Sequence, residues 1–145
     1  MAMDELDKNI LGLLGGDARM SVATLARRLK VARSTIQSRL ERLETTGVIA
    51  GYTVKLGEAA RQGRIRATVL LTIEPRAQAA ILTRLRTLAE VERIHTTSGR
   101  VDLLLQLNAG STTQLDTVLD QIGELSGVRA SESLIHLTTK MDRAV

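Results

Sequence analysis

Residues 21–47 read SVATLARRLKVARSTIQSRLERLETTG, and their periodicity decides the fold of the N-terminal half. Val22, Leu25, Ala26 and Leu29 make a one-sided helical stripe of about two turns, with Ser21 placed to cap it. A break at Lys30 to Ala32 follows, then a second stripe at Ile36, Leu40 and Leu43 that leaves Arg33, Ser34, Gln37, Ser38 and Glu41 on other faces. Gly47 suits a left-handed cap at its end. Upstream, Leu6, Ile10, Leu13 and Leu14 mark a further helix, stopped by Gly15 and Gly16. Three such helices, the last two joined by a tight turn, bury one small core and expose the polar side of the third, which is the pattern of a helix-turn-helix.

Outward from this stretch, residues 48–56 (VIAGYTVKL) read as an extended linker strand, and the polar stretch 57–63 suits a hinge. The domain boundary is expected near residue 60, giving residues 1–60 as a winged-type helix-turn-helix domain and 61–145 as a second domain. There Ile65 to Ile73 alternate as a strand closed by Pro75, and Ala80, Ile81, Leu85 and Leu88 mark a helix. Strands at 91–97 and 101–107 flank the turn Ser98-Gly99-Arg100. Leu115 to Leu125 form another helical stripe, and 128–138 a last strand. The order βαββαβ is a ferredoxin-like α+β unit. With helices over one sheet face, Leu70, Leu104, Ile135 and Leu137 are expected on the other, and a bare apolar sheet face calls for a partner subunit.

Composition narrows the chemistry. Tyr52 is the only aromatic residue of 145, so stacking of single-stranded bases on aromatic platforms is excluded. The absence of cysteine removes disulfides, thiolate zinc sites and cysteine nucleophiles together. No phosphate-binding glycine loop, HExxH or nucleophile elbow occurs, so no catalytic residue and no enzyme activity is expected. His95 and His136 stand alone between strand neighbours and read as hydrogen-bonding members of a layer, with no metal site and no cofactor. The polar N-terminus and the lack of a long apolar run point to a cytoplasmic protein with no membrane partner. The net charge of +4 is unevenly spread, for between Arg19 and Arg42 seven basic residues (Arg19, Arg27, Arg28, Lys30, Arg33, Arg39, Arg42) face one acid, Glu41.

The chain resembles the Lrp/AsnC (feast/famine) transcription regulators along nearly its whole length. MDELDKNILGLL (3–14), SVATLARRL (21–29) and STIQSRLERLETTGVIAGY (34–52) stand in that family's order and spacing, and SGRVDLLLQL (98–107) carries its Gly-x-x-Asp signature at Gly99 and Asp102. Lys30 and Ala32 stand where the family usually has Gly and a capping Ser, and Ala18 replaces a frequent Gly.

A recognition helix lying in the major groove of double-stranded DNA offers its exposed N-terminal residues to base edges, which nominates Arg33, Ser34, Gln37 and Ser38. Thr35, Arg39 and Arg42, with Arg27 and Arg28 from the preceding helix, suit phosphates. Arg39 has a second reading, as a partner in a structural ion pair. The turn Ser98, Gly99, Arg100, Val101, Asp102 can gather backbone amides around a carboxylate, with Asp102 meeting an ammonium group. The resemblance implies an amino-acid effector there, at an interface between dimers that also draws on Ser131 and Ser133, in an oligomer of four dimers. Two rivals remain at this point: an architectural protein that compacts DNA through phosphates alone, and a metabolic sensor whose helical part binds protein.

Overall fold

The computed structural model describes residues 2–144. The chain divides into two compact units, the first extending to Lys55 and the second running from Leu56 to Asp142.

The first unit is three helices: α1 (Glu5–Gly16), α2 (Val22–Leu29) and α3 (Arg33–Thr45). Asp4 caps α1 in a reciprocal box, accepting from the Asp7 amide (2.9 Å) while its own amide donates to the Asp7 carboxylate (3.3 Å). Ser21 caps α2, its Oγ accepting from the Thr24 amide at 3.1 Å. Ile10, Leu25, Ala26, Ile36 and Leu43 are buried together, one stripe from each helix. The turn between α2 and α3 is locally unfavourable at two places. Lys30 closes α2 with φ 58 and ψ 45, the single non-glycine residue of positive φ among those described. Ala32, at the N-cap of α3, offers no side-chain hydrogen bond.

Lys30→Gly is expected to stabilise this unit by about 0.5–1 kcal/mol, because a Cβ in the left-handed region costs more than the added freedom of the unfolded glycine. Ala32→Ser should add about 1 kcal/mol through a new cap. Tyr52, the sole aromatic side chain, lies in this unit, so urea unfolding followed by its fluorescence reads both effects. A lowered midpoint in either variant contradicts the reading of this turn.

After α3 the expected strand at 48–56 is not formed. Among the described residues the segment joins no ladder; the Ile49 amide donates to the Leu43 carbonyl at 2.9 Å and the Tyr52 hydroxyl to Glu44 Oε1 at 2.8 Å, while Tyr52, Val54 and Leu56 are exposed.

The second unit opens with a short helix, α4 (Glu58–Arg61), and continues β1 (Ile65–Ile73), a 3₁₀ turn at Pro75–Ala77, α5 (Gln78–Leu85), β2 (Val91–Thr96), β3 (Leu103–Ala109), α6 (Thr112–Gly123) and β4 (Val128–Ile135). The sheet order is β2-β3-β1-β4 with every pair antiparallel, the ferredoxin-like arrangement. Ile81 and Leu85 of α5 and Leu115, Val118 and Ile122 of α6 pack on Ala67, Val69, Leu71, Leu103, Leu105 and Leu107 of the central strands. Gly127, at φ +95, leads into β4 where any Cβ would collide with the Ala77 methyl, so the approach of this loop to the 3₁₀ turn requires glycine.

The uncovered sheet face differs from expectation in β4. Leu70 pairs with Leu104 and Glu132, and Thr68 with Leu134, so Leu134 joins Leu70 and Leu104 on the open face while Ile135, paired with Ala67, falls on the helix side. The cause is a bulge: Ile73 pairs with Val128 but Thr72 with Ala130, and the extra residue, Arg129, flips every side chain after it. Leu137 lies beyond the end of β4, 94% exposed.

Candidate functional site

On α3 the first turn and one flank are free. Arg33, Ser34, Gln37 and Ser38 are exposed, and Thr35 is half-buried beside the core residue Ile36. Arg27 and Arg28, at the C-terminal end of α2, are exposed as well. With Arg19, Lys30 and Arg33 they form no ion pair among the described residues. Residues 56–142 hold ten basic and ten acidic side chains, so the excess positive charge of the chain lies outside the second unit.

Arg39 and Arg42 occupy the other flank of α3 and are engaged within the chain. Arg39 Nη1 lies 2.5 Å from Asp4 Oδ2 and 3.1 Å from Asp7 Oδ1, and Arg42 Nη2 lies 2.7 Å from Asp7 Oδ2. Asp7 is fully buried, and its two oxygens accept from both guanidinium groups and from the Asp4 amide. The Arg39 hydrogen bond, helped by the Asp7 amide, holds the Asp4 carboxyl at about 2, and the same carboxylates push Arg39 upward. The geometry thus favours the structural reading of Arg39 and extends it to Arg42. Sequence reasoning missed Asp4 and Asp7. Their spacing of three at a helix start was the available signal, since it marks a capping box, but their partners stand more than thirty positions away.

The turn at 98–102 lies beside the end of β1. The Asp102 amide donates to the Leu71 carbonyl at 2.8 Å, and Asp102 Oδ2 accepts from the Ile73 amide at 2.9 Å, so one carboxylate oxygen holds the end of a strand. Thr97 Oγ1 donates to the Val101 carbonyl at 2.7 Å, and Gly99 takes φ +106, a conformation that L side chains rarely adopt. The amides of Ser98 to Val101 donate to no backbone carbonyl among the described residues. Arg100 reaches across β1 to Glu132 at 3.0 Å on the open face. Ser131 and Ser133 pair with Leu71 and Val69 and therefore project to the opposite face, exposed at the sheet edge. The two serines are thus not gathered with Arg100 around one point of a single chain. A cleft of about 490 Å³ borders β2, lined by Leu82, Arg86, Val91, Glu92, Arg93, Ile94 and Thr96, and includes none of the turn residues. His136 shares a hydrogen bond of 2.8 Å with Thr68 Oγ1.

With this geometry established, comparison with known proteins is decisive. Residues 3–44 match the AsnC-type helix-turn-helix domain, and residues 66–145 match the Lrp/AsnC ligand binding domain. The chain belongs to the Lrp/AsnC family. The HTH-type transcriptional regulator LrpA of Mycobacterium tuberculosis is 29% identical over 98% of this chain and 95% of its own length. The HTH-type transcriptional regulator FL11 of Pyrococcus furiosus is 25% identical over 93% of this chain and 89% of its own. The structure of E. coli AsnC superposes with a TM-score of 0.90, covering 100% of this chain and 99% of that one at 24% identity, which shows a common fold. The fold is shared also with a Neisseria meningitidis transcriptional regulator solved as a complex with L-Met (TM-score 0.88, 24% identity, 97% of this chain and 94% of that one). This Lrp/AsnC chain is accordingly an HTH-type transcriptional regulator with a ligand-binding domain, in a family of regulators and not of enzymes. No described helix is long and apolar enough to cross a membrane.

Proposed function

We propose that this Lrp/AsnC regulator binds double-stranded DNA sequence-specifically, as a homo-oligomer in the cytoplasm, and that an amino acid changes its oligomeric state or its DNA binding. The observation that carries the DNA reading is the free first turn of α3. Arg33, Ser34, Gln37 and Ser38 stand exposed and uncommitted, with Arg33 suited to guanine and Gln37 to adenine. Arg27, Arg28 and Thr35 flank them and hold phosphates, which orient the head without reading sequence. Arg39 and Arg42 serve the interface at one remove, by fixing α3 on α1 through Asp4 and Asp7.

Two heads are needed to read a pseudo-palindromic operator. The open sheet face supports pairing, because Leu70, Leu104 and Leu134 form an apolar centre on it. Four such dimers make the octamer that the family resemblance implies.

For the effector, the turn offers the free amides of Ser98 to Val101 to a carboxylate, and Asp102 Oδ1 to an ammonium group. Arg100, Ser131 and Ser133 complete the pocket only when a second subunit contributes, since one chain sends them to different faces. The L-Met complex of the Neisseria regulator, which shares this fold, supports the amino-acid class.

The test is a thermal-shift screen of the purified protein against the twenty amino acids. A ligand at 100 times its Kd stabilises by about 2.7 kcal/mol, a rise of several degrees for a chain of this size. One amino acid, or a small group, is expected to raise the midpoint, and Asp102→Ala to abolish that rise. If no amino acid shifts it, the effector reading falls while the DNA reading stands.

A further inference from the structure

Between α1 and α2 of the first unit runs an open groove of about 470 Å³, and no residue of α3 lines it. Its floor is Leu13 and Leu29, which pack on the small core with one side and stay half-exposed on the other. Lys8, Asn9, Gly12 and Arg28 surround them, all four exposed. The lining holds two cations and no acid. Arg28 forms no ion pair among the described residues. Lys8 pairs with Glu5, one turn before it, at 3.8 Å with both side chains in water, a contact that contributes little.

Folding of the chain gives no reason for Gly12. It stands inside α1 and outside the glycines of positive φ, at a place where glycine is destabilising relative to alanine. Nothing lies within 4 Å of a Cβ built there, so no neighbour in the unit excludes a side chain. Gly16 is equally open, but it ends the helix, where glycine is a usual stop. Gly12 instead leaves a notch in the wall of the groove. Through it a visitor can approach the α1 backbone and reach Leu13 and Leu29, and any side chain at position 12 would stand in the way.

We propose that this groove docks an acidic, amphipathic peptide segment of another protein, with apolar side chains on Leu13 and Leu29, carboxylates on Lys8 and Arg28, and its backbone close to Gly12. A phosphate chain would use the two cations but gain nothing from the apolar floor. A small ligand would stay largely in water in so open a groove. A helical segment with apolar side chains every three or four residues and acids beside them uses floor and rim together. The opposite charges steer encounter and set orientation, while burial of the apolar anchors holds the complex. Arg28 is shared with the phosphate backbone of DNA, so Lys8 and Gly12 are the positions that separate the two partners.

The test is selection from a displayed library of random peptides on the full-length protein, followed by anisotropy of a labelled selected peptide with wild type, Lys8→Glu, Gly12→Glu and Gly12→Ala. Enriched peptides are expected to carry several acids around two or more apolar residues. Lys8→Glu and Gly12→Glu should each weaken the selected peptide by about tenfold or more. Neither should change the slope of log K against log salt for duplex DNA. Both positions are exposed, and glutamate is a better helix former than glycine, so the variants keep their fold, which circular dichroism checks. Gly12→Ala should raise the urea midpoint read by Tyr52 and yet weaken the peptide by a smaller factor, which separates docking from folding. The proposal is overturned if selection yields no peptide that Gly12→Glu weakens, or if the enriched peptides lack acids. It is overturned also if Lys8→Glu reduces the salt slope on DNA, which would make Lys8 a phosphate contact. A lowered sedimented mass in Lys8→Glu or Gly12→Glu would overturn it as well, since the occupant would then be a second copy of the chain.

Discussion

Asp7→Ala is expected to destabilise the first unit by about 2–3 kcal/mol, the largest loss for any single change in the chain outside its cores. Three interactions end on this buried carboxylate: the hydrogen bond from the Asp4 amide, the Arg39 pair and the Arg42 pair. Losing one partner of a fully buried pair costs about 3–5 kcal/mol. The lower figure applies because Arg39 and Arg42 keep 25% and 45% of their side-chain surface in water, and so are not left as dry, uncompensated charges. A unit this small holds only about 3–5 kcal/mol in its core, so the variant is left with about 0–3 kcal/mol and should unfold at a much lower urea concentration than wild type. Tyr52 fluorescence during urea titration reports this unit. The ferredoxin-like unit, followed by far-UV circular dichroism, should keep its own transition. An Asp7→Ala protein whose Tyr52 midpoint matches wild type would show that the clamp between α1 and α3 does not hold the head together.

The second large effect separates residues that read bases from residues that hold phosphates or structure. On a selected operator, Arg33→Ala and Gln37→Ala should each cost about 1–3 kcal/mol, or about 5- to 150-fold in affinity, with little change on unrelated duplex for Gln37→Ala. Arg28→Ala should weaken every sequence alike and reduce the slope of log K against log salt by about 0.9 per bound head. Arg39→Ala should leave that slope unchanged and lower the Tyr52 unfolding midpoint instead, since its guanidinium is already engaged by two carboxylates. Fluorescence anisotropy between about 50 and 300 mM salt measures all four variants. If Arg39→Ala reduces the slope as Arg28→Ala does, Arg39 leaves its carboxylates to meet the backbone of DNA.

These residues also show what was legible before any coordinates. The helical stripes Val22-Leu25-Ala26-Leu29 and Ile36-Leu40-Leu43, the cap at Ser21 and the order βαββαβ are carried by local signals, namely apolar period and turn chemistry, and the structure has them all. The exposed first turn of α3 follows from the same period. What escaped depends on pairing between distant residues. The Asp7 clamp joins positions 32 and 35 apart in sequence. A bulge has no mark in the sequence around Arg129, so the face of Leu134 and Ile135 came out reversed. Residues 48–56 have the composition of a strand, but a strand also needs a neighbour, and no described strand pairs with them. The turn at 98–102 was legible as a turn. That Ser131 and Ser133 project away from Arg100 was not, because it follows from the same bulge.

The central claim is that α3 reads DNA sequence, and selection from a pool of random duplexes by the purified protein at about 150 mM salt tests it most directly, salt at which phosphate contacts alone bind weakly. The account requires enrichment of a two-fold symmetric site, its half-sites about one helical turn or a multiple of it apart, bound at least about a thousandfold more tightly than bulk DNA. A pool that retains its random composition after several rounds, bound with a steep salt dependence and no preferred site, would contradict the account and establish the chain as an architectural DNA-binding protein.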